Sequence, residues 1–168
     1  VPRPSKKEEK MIAYLKAFGA KHNLETKVDE AGNVLIKKPA TPGKENLQTV
    51  VLQSHIDMVC EKNNDVQHDF LTDPIETEID GEWLKAKGTT LGADNGIGVA
   101  TELAILADDS IEHGPLECLF TVDEETGLTG AFALQEGFMS GDILLNLDSE
   151  DEGEIFIGCA GGIDSVAE

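Results

Sequence analysis

The chain has 168 residues, of which 40% are hydrophobic and 27% charged, and its 13 basic and 33 acidic residues give a formal net charge of −20 at pH 7. This length suffices for one domain with its own core, and the negative charge argues against nucleic acid or an anionic membrane as a partner. No run approaches the roughly 18 apolar residues of a membrane helix, and the sequence shows no signal-peptide core.

The cysteines also point to an intracellular setting. Cys60, Cys118 and Cys159 are scattered and form no C-x-x-C pattern, which predicts reduced thiols in a reducing compartment. We therefore expect a cytoplasmic protein, although a start at Val1 leaves open whether a leader was removed.

The first predicted element is a helix from Ser5 to about His22. Ser5 is its predicted N-cap and Glu8 the capping-box partner. Apolar residues at helical spacing form its buried stripe: Met11, Leu15 and Phe18. The helix is expected to serve as scaffold.

A hairpin and a buried strand follow the helix. The β-rich runs 25–30 and 33–38 flank an Ala-Gly turn, which predicts the hairpin. Residues 49–57 begin with a continuous apolar run, as expected for a strand buried on both faces in the middle of a sheet. Because side chains alternate along a strand, His55 and Asp57 lie on the same face at its end.

The central part of the chain predicts a second hairpin and a second helix. Residues 75–86 contain Asp80-Gly81, a strong turn signal, and the hairpin is expected at the edge of the sheet. The glycine-rich run 88–98 surrounds Asp94, and a helical stripe then continues to about Asp108. Asp94 is therefore expected at or just before a helix N-terminus.

The last third predicts strands that again end on acidic residues. Residues 116–122 form an apolar strand that leads into Asp123-Glu124-Glu125, and a short helix over 128–135 follows with Thr126 as its cap. Further strands are predicted at 142–148 and 154–158. The alternation of strands and helices predicts a three-layer α/β/α sandwich with a mostly parallel or mixed central sheet.

Several strand ends and one helix start carry side chains that can bind metal ions. They are His55, Asp57, Asp94, Glu124, Glu125 and Asp148. The carboxyl ends of parallel strands share one rim, where uncompensated carboxylates would repel one another strongly. Bound dications would remove that repulsion, and a mixed nitrogen and oxygen ligand set suits zinc, with cobalt or manganese as alternatives.

Each candidate also has a structural interpretation. His55 and Asp57 could be a polar pair at a strand end, Asp94 a helix cap, and Glu124 with Glu125 part of a solvated turn. Asp148 opens an acidic run that could face water. Together these interpretations require unrelated accidents at successive strand ends, so the sequence favours a metal site in which Asp57 orients the His55 ring.

Four runs carry a family resemblance: LQSHIDMV, GTTLGADNGIGVA, TVDEETGLTGA and NLDSEDEGEIFIGCAGGID. In order and spacing they resemble the aminoacyl-histidine dipeptidases, members of the co-catalytic zinc metallopeptidases that also include aminoacylases and glutamate-releasing carboxypeptidases. The resemblance covers nearly the whole chain and includes PRPSKKEEK at its start. It implies two zinc ions, with His55 and Asp148 on the first, Glu125 on the second and Asp94 bridging them.

The resemblance also implies an activity. Glu124 would be the general base, Asp57 would orient His55, and the Asp94-Asn95 peptide would be cis. The implied reaction is hydrolysis of dipeptides, preferentially Xaa-His including β-alanyl-histidine, by a metal-bridged water. Alternatives are another amidohydrolase of the same superfamily, such as an aminoacylase, and a non-catalytic metal-binding or interaction module.

The chain is much shorter than members of that family. Residues 1–162 would form an incomplete catalytic domain, and residues 163–168 would begin a lid domain used for homodimerisation and substrate recognition. A last histidine ligand would follow that lid. We therefore expect this chain alone to leave a sheet edge exposed, to bind metal weakly and to be inactive, and its sequence does not define the dipeptide specificity.

Overall fold

The computed structural model describes residues 1–149, 151, 153–158 and 161. Cys159 and the predicted start of a lid domain at 163–168 lie outside the described residues. The described part forms, in chain order, α1 (Glu9–Lys21), β1 (Glu25–Val28), β2 (Val34–Lys38), β3 (Val50–His55), β4 (Thr77–Asp80), β5 (Trp83–Ala86), α2 (Ala93–Ala107), β6 (Leu116–Thr121), α3 (Thr129–Ala133) and β7 (Ile143–Asn146).

The main sheet is mixed and has five strands in the order β1-β2-β6-β3-β7. β3 runs parallel to both β6 and β7, whereas β2 is antiparallel to β1 and β6. The register pairs His55 with Thr121 and Gln53 with Asn146. Three parallel strands therefore end at one rim, and β3 occupies an interior place in the sheet, as its apolar sequence predicts.

Both faces of the sheet are covered, which confirms the predicted three-layer α/β fold. On one face α1 and α2 pack against the sheet, and this larger core contains Met11, Leu15, Ile36, Leu52, Val99, Leu106 and Phe120. On the other face the segment after α3 covers a smaller core, formed by Leu35, Val51 and Leu119 with Leu134, Phe138 and Met139. The described residues include no helix with the length and apolar character that crossing a membrane requires.

The predicted start of the first helix is wrong. α1 begins at Glu9, and its N-terminus has no side-chain cap. The Ser5 hydroxyl instead donates to Asp57 Oδ2 at 2.8 Å, and Glu8 Oε1 accepts the backbone N–H groups of Lys6 and Asp123 at 2.9 and 3.0 Å. Both residues of the predicted capping box are engaged in other contacts, which a local sequence pattern does not reveal.

Two further differences concern the pairing of the second hairpin and the hydrogen bond of Thr126. β4 and β5 form the predicted hairpin, but as a separate two-stranded sheet and not at the edge of the main one. Thr126 does not cap α3, because its hydroxyl donates to Asp123 Oδ1 at 2.5 Å.

The predicted strand over 154–158 is not formed. Its apolar side chains Ile155, Phe156 and Ile157 are exposed, and no described strand pairs with this segment. β7 is the edge strand of the described sheet, and Ile143, Leu144 and Leu145 are between 40 and 49% exposed. Within the described part of the chain, β7 therefore forms an exposed sheet edge of the kind that the sequence predicts.

The larger core buries a carboxyl group that has no hydrogen-bond partner among the described residues. This group belongs to Glu102 on α2, which is fully buried beside Ser54 and the Cys118 thiol. Burial raises the pKa of Glu102 well above its usual value of 4.5, since a charged carboxylate is costly in an apolar interior. The folded protein therefore holds the Glu102 proton at pH values where a solvent-exposed glutamate has already lost it.

This burial predicts a pH-dependent stability. The folded protein keeps the Glu102 proton above pH 4.5, where the unfolded chain has lost it, so its contribution to stability falls by about 1.4 kcal/mol for each further pH unit until the folded-state pKa is reached. Glu102→Gln should remove this contribution. In urea denaturation between pH 5 and 7, the variant should lose less stability than the unsubstituted protein, and parallel pH profiles would contradict the assignment.

Candidate metal centre

The imidazole of His55 lies at the rim where β3 ends, and it is almost fully buried. Its Nδ1 is 3.1 Å from Asp57 Oδ1, and its Nε2 is 3.0 Å from Asp94 Oδ1. Asp148 Oδ1 lies 3.7 Å from the same Nε2. The ring therefore has one nitrogen held by Asp57 and the other directed at two carboxylates.

Asp57 joins the end of β3 to the acidic turn after β6, which consists of Asp123-Glu124-Glu125. Its carboxylate is fully buried, where Oδ1 accepts the Glu124 N–H at 3.1 Å and Oδ2 accepts the Glu125 N–H at 3.3 Å, besides the Ser5 hydroxyl. Burial alone would raise the pKa of Asp57, but the hydrogen bonds from His55, the two backbone amides and Ser5 outweigh it and lower the pKa to about 2. Asp57 is therefore ionised and fixed in place.

The surroundings of His55 favour positive charge. Burial would lower the pKa of the imidazole, but hydrogen bonds with Asp57 and Asp94 and the nearby charge of Asp148 outweigh it and raise the pKa to about 9. A pocket that stabilises a cation at this ring in the absence of metal is electrostatically suited to a bound cation.

The acidic turn divides its three consecutive acids between two roles. Asp123 is buried with a positive φ of 48° and accepts the hydroxyl groups of Thr126 and Thr129, each at 2.5 Å. Glu124 and Glu125 are only partly buried. Burial first, and neighbouring carboxylates next, raise the pKa of Glu125, and burial is also the main reason why the pKa of Glu124 is raised. Asp123 thus shapes the turn, and the two glutamates remain free for chemistry.

The start of α2 brings the fourth segment to the rim. Gly92 has a φ of 71°, Asp94 and Asn95 depart from helical geometry, and the Asp94-Asn95 peptide is cis, which confirms the expectation from the family resemblance. The buried Asn95 side chain donates to Asp148 Oδ1 at 2.8 Å and accepts the Gly98 N–H at 3.0 Å. Asn95 thereby fixes Asp148 beside Asp94, a role that no local pattern indicated.

The structure brings all the sequence-predicted ligands to one place. The ligand atoms of His55, Asp94 and Glu125 lie within 4.8 Å of one another, and Asp148 adjoins them through His55 and Asn95. Burial, followed by the charge of Asp94, raises the pKa of Asp148, so the carboxylates are not fully compensated by protein groups. The nitrogen and oxygen donors fit zinc, and their ligand roles stay predictions.

The other histidines lie elsewhere. The cluster found in the described part of the chain includes none of His22, His68 and His113. His113, predicted to be a loop histidine, has Nδ1 2.7 Å from the Gly114 carbonyl oxygen.

Three residues important to the site were missed by the sequence analysis: Arg3, Ser5 and Asn95. Arg3 and Ser5 reach the site through contacts with residues more than 50 positions away, which periodicity cannot indicate. Both residues lie in PRPSKKEEK, a run that the family resemblance includes, but the run does not indicate that they contact Asp57 or the start of α2.

The hydrogen bonds to Asp57 predict that replacing its carboxylate with an amide of the same shape destabilises the folded protein. Asp57→Asn would turn an N–H group toward the amide donors of the acidic turn, and leaving buried partners unmet costs about 1–3 kcal/mol. Urea denaturation of the metal-free protein should show a loss of that size. The exposed Asp65→Asn is the control and should leave stability unchanged, and an Asp57→Asn variant as stable as this control would contradict the proposed arrangement.

Comparisons with known proteins agree with this geometry. Residues 51–163 match the family model of peptidase family M20/M25/M40. Over 164 residues, which is 98% of the chain, the sequence is 57% identical to the cytosol non-specific dipeptidase of Escherichia coli K12.

Solved structures give the same result. The aminoacylhistidine dipeptidase of Vibrio alginolyticus superposes on 95% of the chain with a TM-score of 0.92 and 58% identity. Aminopeptidase PepT of Bacillus cereus matches 90% of the chain with a TM-score of 0.75 and 27% identity. The chain spans 34% of the length of the E. coli protein and 32% and 40% of the two crystallised chains. The convergent His55 cluster, the mixed sheet and these matches establish that the chain belongs to peptidase family M20/M25/M40.

Proposed function

We propose that this chain is the catalytic portion of a zinc-dependent dipeptidase that cleaves Xaa-His dipeptides, including β-alanyl-histidine. The observation that carries the proposal is the convergence of His55, Asp94, Glu125 and Asp148 at one rim, with Glu124 beside them. The name of the Vibrio relative supports an aminoacyl-histidine substrate, whereas that of the E. coli relative describes a broader dipeptidase.

The proposed ligand assignment follows the resemblance. His55 and Asp148 would hold one zinc ion, Glu125 a second, and Asp94 would bridge the two. When bound, the ions would polarise the scissile carbonyl and lower the pKa of the attacking water. This donor set also accommodates cobalt or manganese.

Asp57 and His55 act as a unit in this proposal. In the neutral ring that metal binding requires, Asp57 would accept the Nδ1 proton of His55 across 3.1 Å, which would fix the tautomer and leave the Nε2 lone pair directed at the cluster. The backbone amides of Glu124 and Glu125 hold Asp57 in turn. The same carboxylate therefore orients the imidazole and positions the two glutamates.

Glu124 is the proposed general base. It lines a small cavity together with Gln53, Thr121, Asn146 and Asp148, where a water and the substrate carbonyl could meet. Glu124 takes a proton from the attacking water and later delivers it to the leaving amine. Its raised pKa makes the ionised carboxylate a stronger base in the first step, and it favours the protonated form that supplies the leaving amine in the second step.

The complete enzyme is proposed to need more than this chain. Here "complete enzyme" means this chain together with the remaining length that its relatives have. We infer that residues 1–162 belong to its catalytic domain, that residues 163–168 lead into a lid domain through which it forms a homodimer, and that it is cytoplasmic. Among the described residues the second zinc would have only Asp94 and Glu125 as ligands, so the chain alone is expected to bind metal weakly and to lack activity.

The direct test is Glu124→Gln in the complete enzyme. Loss of a general base should lower kcat for β-alanyl-histidine by about 10²–10⁴-fold, while zinc content by metal analysis stays unchanged. The exposed Glu136→Gln is the matched control and should keep full activity. Normal hydrolysis by Glu124→Gln, or loss of its zinc, would show that Glu124 has another role.

The same assay separates the alternatives. Faster hydrolysis of N-acetyl amino acids than of dipeptides would indicate an aminoacylase-type enzyme. Zinc binding with hydrolysis of neither substrate would indicate a non-catalytic metal-binding module.

A further inference from the structure

Arg3 is the only arginine in a chain with 33 acidic residues, and it lies beside the metal cluster. It reaches this place from the segment ahead of α1, where Pro4 forms a bridge with Met58 and the Ser5 hydroxyl donates to Asp57. The N-terminal segment thus runs along the exit of β3. Arg3 has no part in the ligand set or in the proton transfers proposed above.

The guanidinium of Arg3 connects two separate segments. Nη1 donates to the carbonyl oxygens of Ile56 at 3.0 Å and Asp57 at 2.7 Å, and Nη2 donates to the carbonyl oxygen of Gly92. The first two acceptors lie at the exit of β3, and the third lies just ahead of α2. One planar group therefore joins the end of β3 to the start of α2.

These two segments carry two of the candidate metal ligands, His55 and Asp94. His55 comes directly before Ile56, and Asp94 comes two residues after Gly92. Their side chains meet with His55 Nε2 3.0 Å from Asp94 Oδ1. The Arg3 contacts therefore tie together the backbones from which a first ligand and the bridging ligand project.

Two glycines leave room for the guanidinium. A Cβ atom at Gly92 would lie 2.7 Å from Arg3 Nη2, and one at Gly96 would lie 2.9 Å from it. Real Cβ atoms do not approach so closely, so larger residues at these positions would displace the guanidinium. Gly92 also needs its freedom for a positive φ, whereas Gly96 has no such need.

The hydrogen-bond acceptors of Arg3 indicate whether its geometry or its charge matters at this site. Asp57, Asp94 and Glu125 are near enough to act on Arg3 electrostatically, yet its three hydrogen bonds to described residues all go to backbone carbonyls. A fixed positive charge would also oppose the binding of cations nearby. The contribution of Arg3 to the site is therefore its fork of donors, which holds backbone segments, and not its charge.

We propose that Arg3 is a positioning residue of this site, which holds the β3 exit and the α2 entry at the separation that joint metal binding by His55 and Asp94 requires. The inference rests on the proposed function, since it assigns Arg3 a role in the geometry of the same centre.

The first experiment compares Arg3→Lys and Arg3→Met in the complete enzyme. Lysine keeps the charge but concentrates its donors on one nitrogen, which cannot span the two segments. Because small misplacements of reacting groups cost up to about 10²-fold in rate, both variants should lower kcat for β-alanyl-histidine at least tenfold, with little change in KM. Lys7→Met, an exposed residue of the same segment, should behave like the unsubstituted enzyme.

A readout independent of turnover is the visible absorption spectrum of the cobalt-substituted enzyme, which reports the ligand geometry around the metal. Arg3→Lys and Arg3→Met should both shift its d–d bands, and Lys7→Met should not. If the unsubstituted enzyme binds cobalt but hydrolyses no dipeptide, the proposed function fails while the spectra still decide the role of Arg3. If Arg3→Lys keeps both the full kcat and the spectrum, charge is sufficient and the inference is wrong.

A second variant displaces the guanidinium without removing it. Gly96→Ala should push Nη2 aside while favouring the helix, where alanine is more stable than glycine by about 0.5–1 kcal/mol. We expect a lowered kcat and a shifted cobalt spectrum with a melting temperature at or above that of the unsubstituted enzyme. An unchanged kcat and spectrum in Gly96→Ala would overturn the inference, even if the Arg3 variants failed to fold.

Discussion

The site depends on one buried carboxylate, that of Asp57, and on the donors that surround it. It accepts hydrogen bonds from the His55 ring, the Ser5 hydroxyl and the backbone amides of Glu124 and Glu125. These donors come from three segments that are far apart in sequence, so one ionised group fixes a candidate ligand and the acidic turn together. Because a buried charge is stable only when it is fully hydrogen-bonded, loss of any donor affects the whole site.

The sheet and the N-terminal segment provide the frame for that carboxylate. Parallel pairing of β3 with β6 and β7 places His55, the acidic turn and Asp148 at one rim, where ligands of α/β sheets bind. The segment ahead of α1 closes this rim from the side through Arg3, Ser5 and the Pro4–Met58 bridge. The fold thus concentrates carboxylates whose repulsion a bound cation would relieve.

Much of this arrangement can be predicted from sequence, because it depends on local signals. Apolar strands that end on His55, Glu124 and Asp148 indicate both the sheet and its functional rim, and a glycine-rich run marks the entry of α2. Contacts between distant segments are not encoded locally. Ser5 and Glu8 resemble a capping box but bind Asp57 and the acidic turn instead. The apolar run 154–158 resembles a strand, but it has no partner strand among the described residues.

The central claim is that His55, Asp94, Glu125 and Asp148 bind zinc as one centre. The most direct measurement is a crystal structure of the complete enzyme grown with zinc, with the ions located by anomalous scattering. The account predicts two zinc peaks about 3.5–4 Å apart, with Asp94 between them and His55, Asp148 and Glu125 within about 2.0–2.2 Å of one or the other. Zinc at a different place, or ligands that exclude His55 and Asp94, would contradict it.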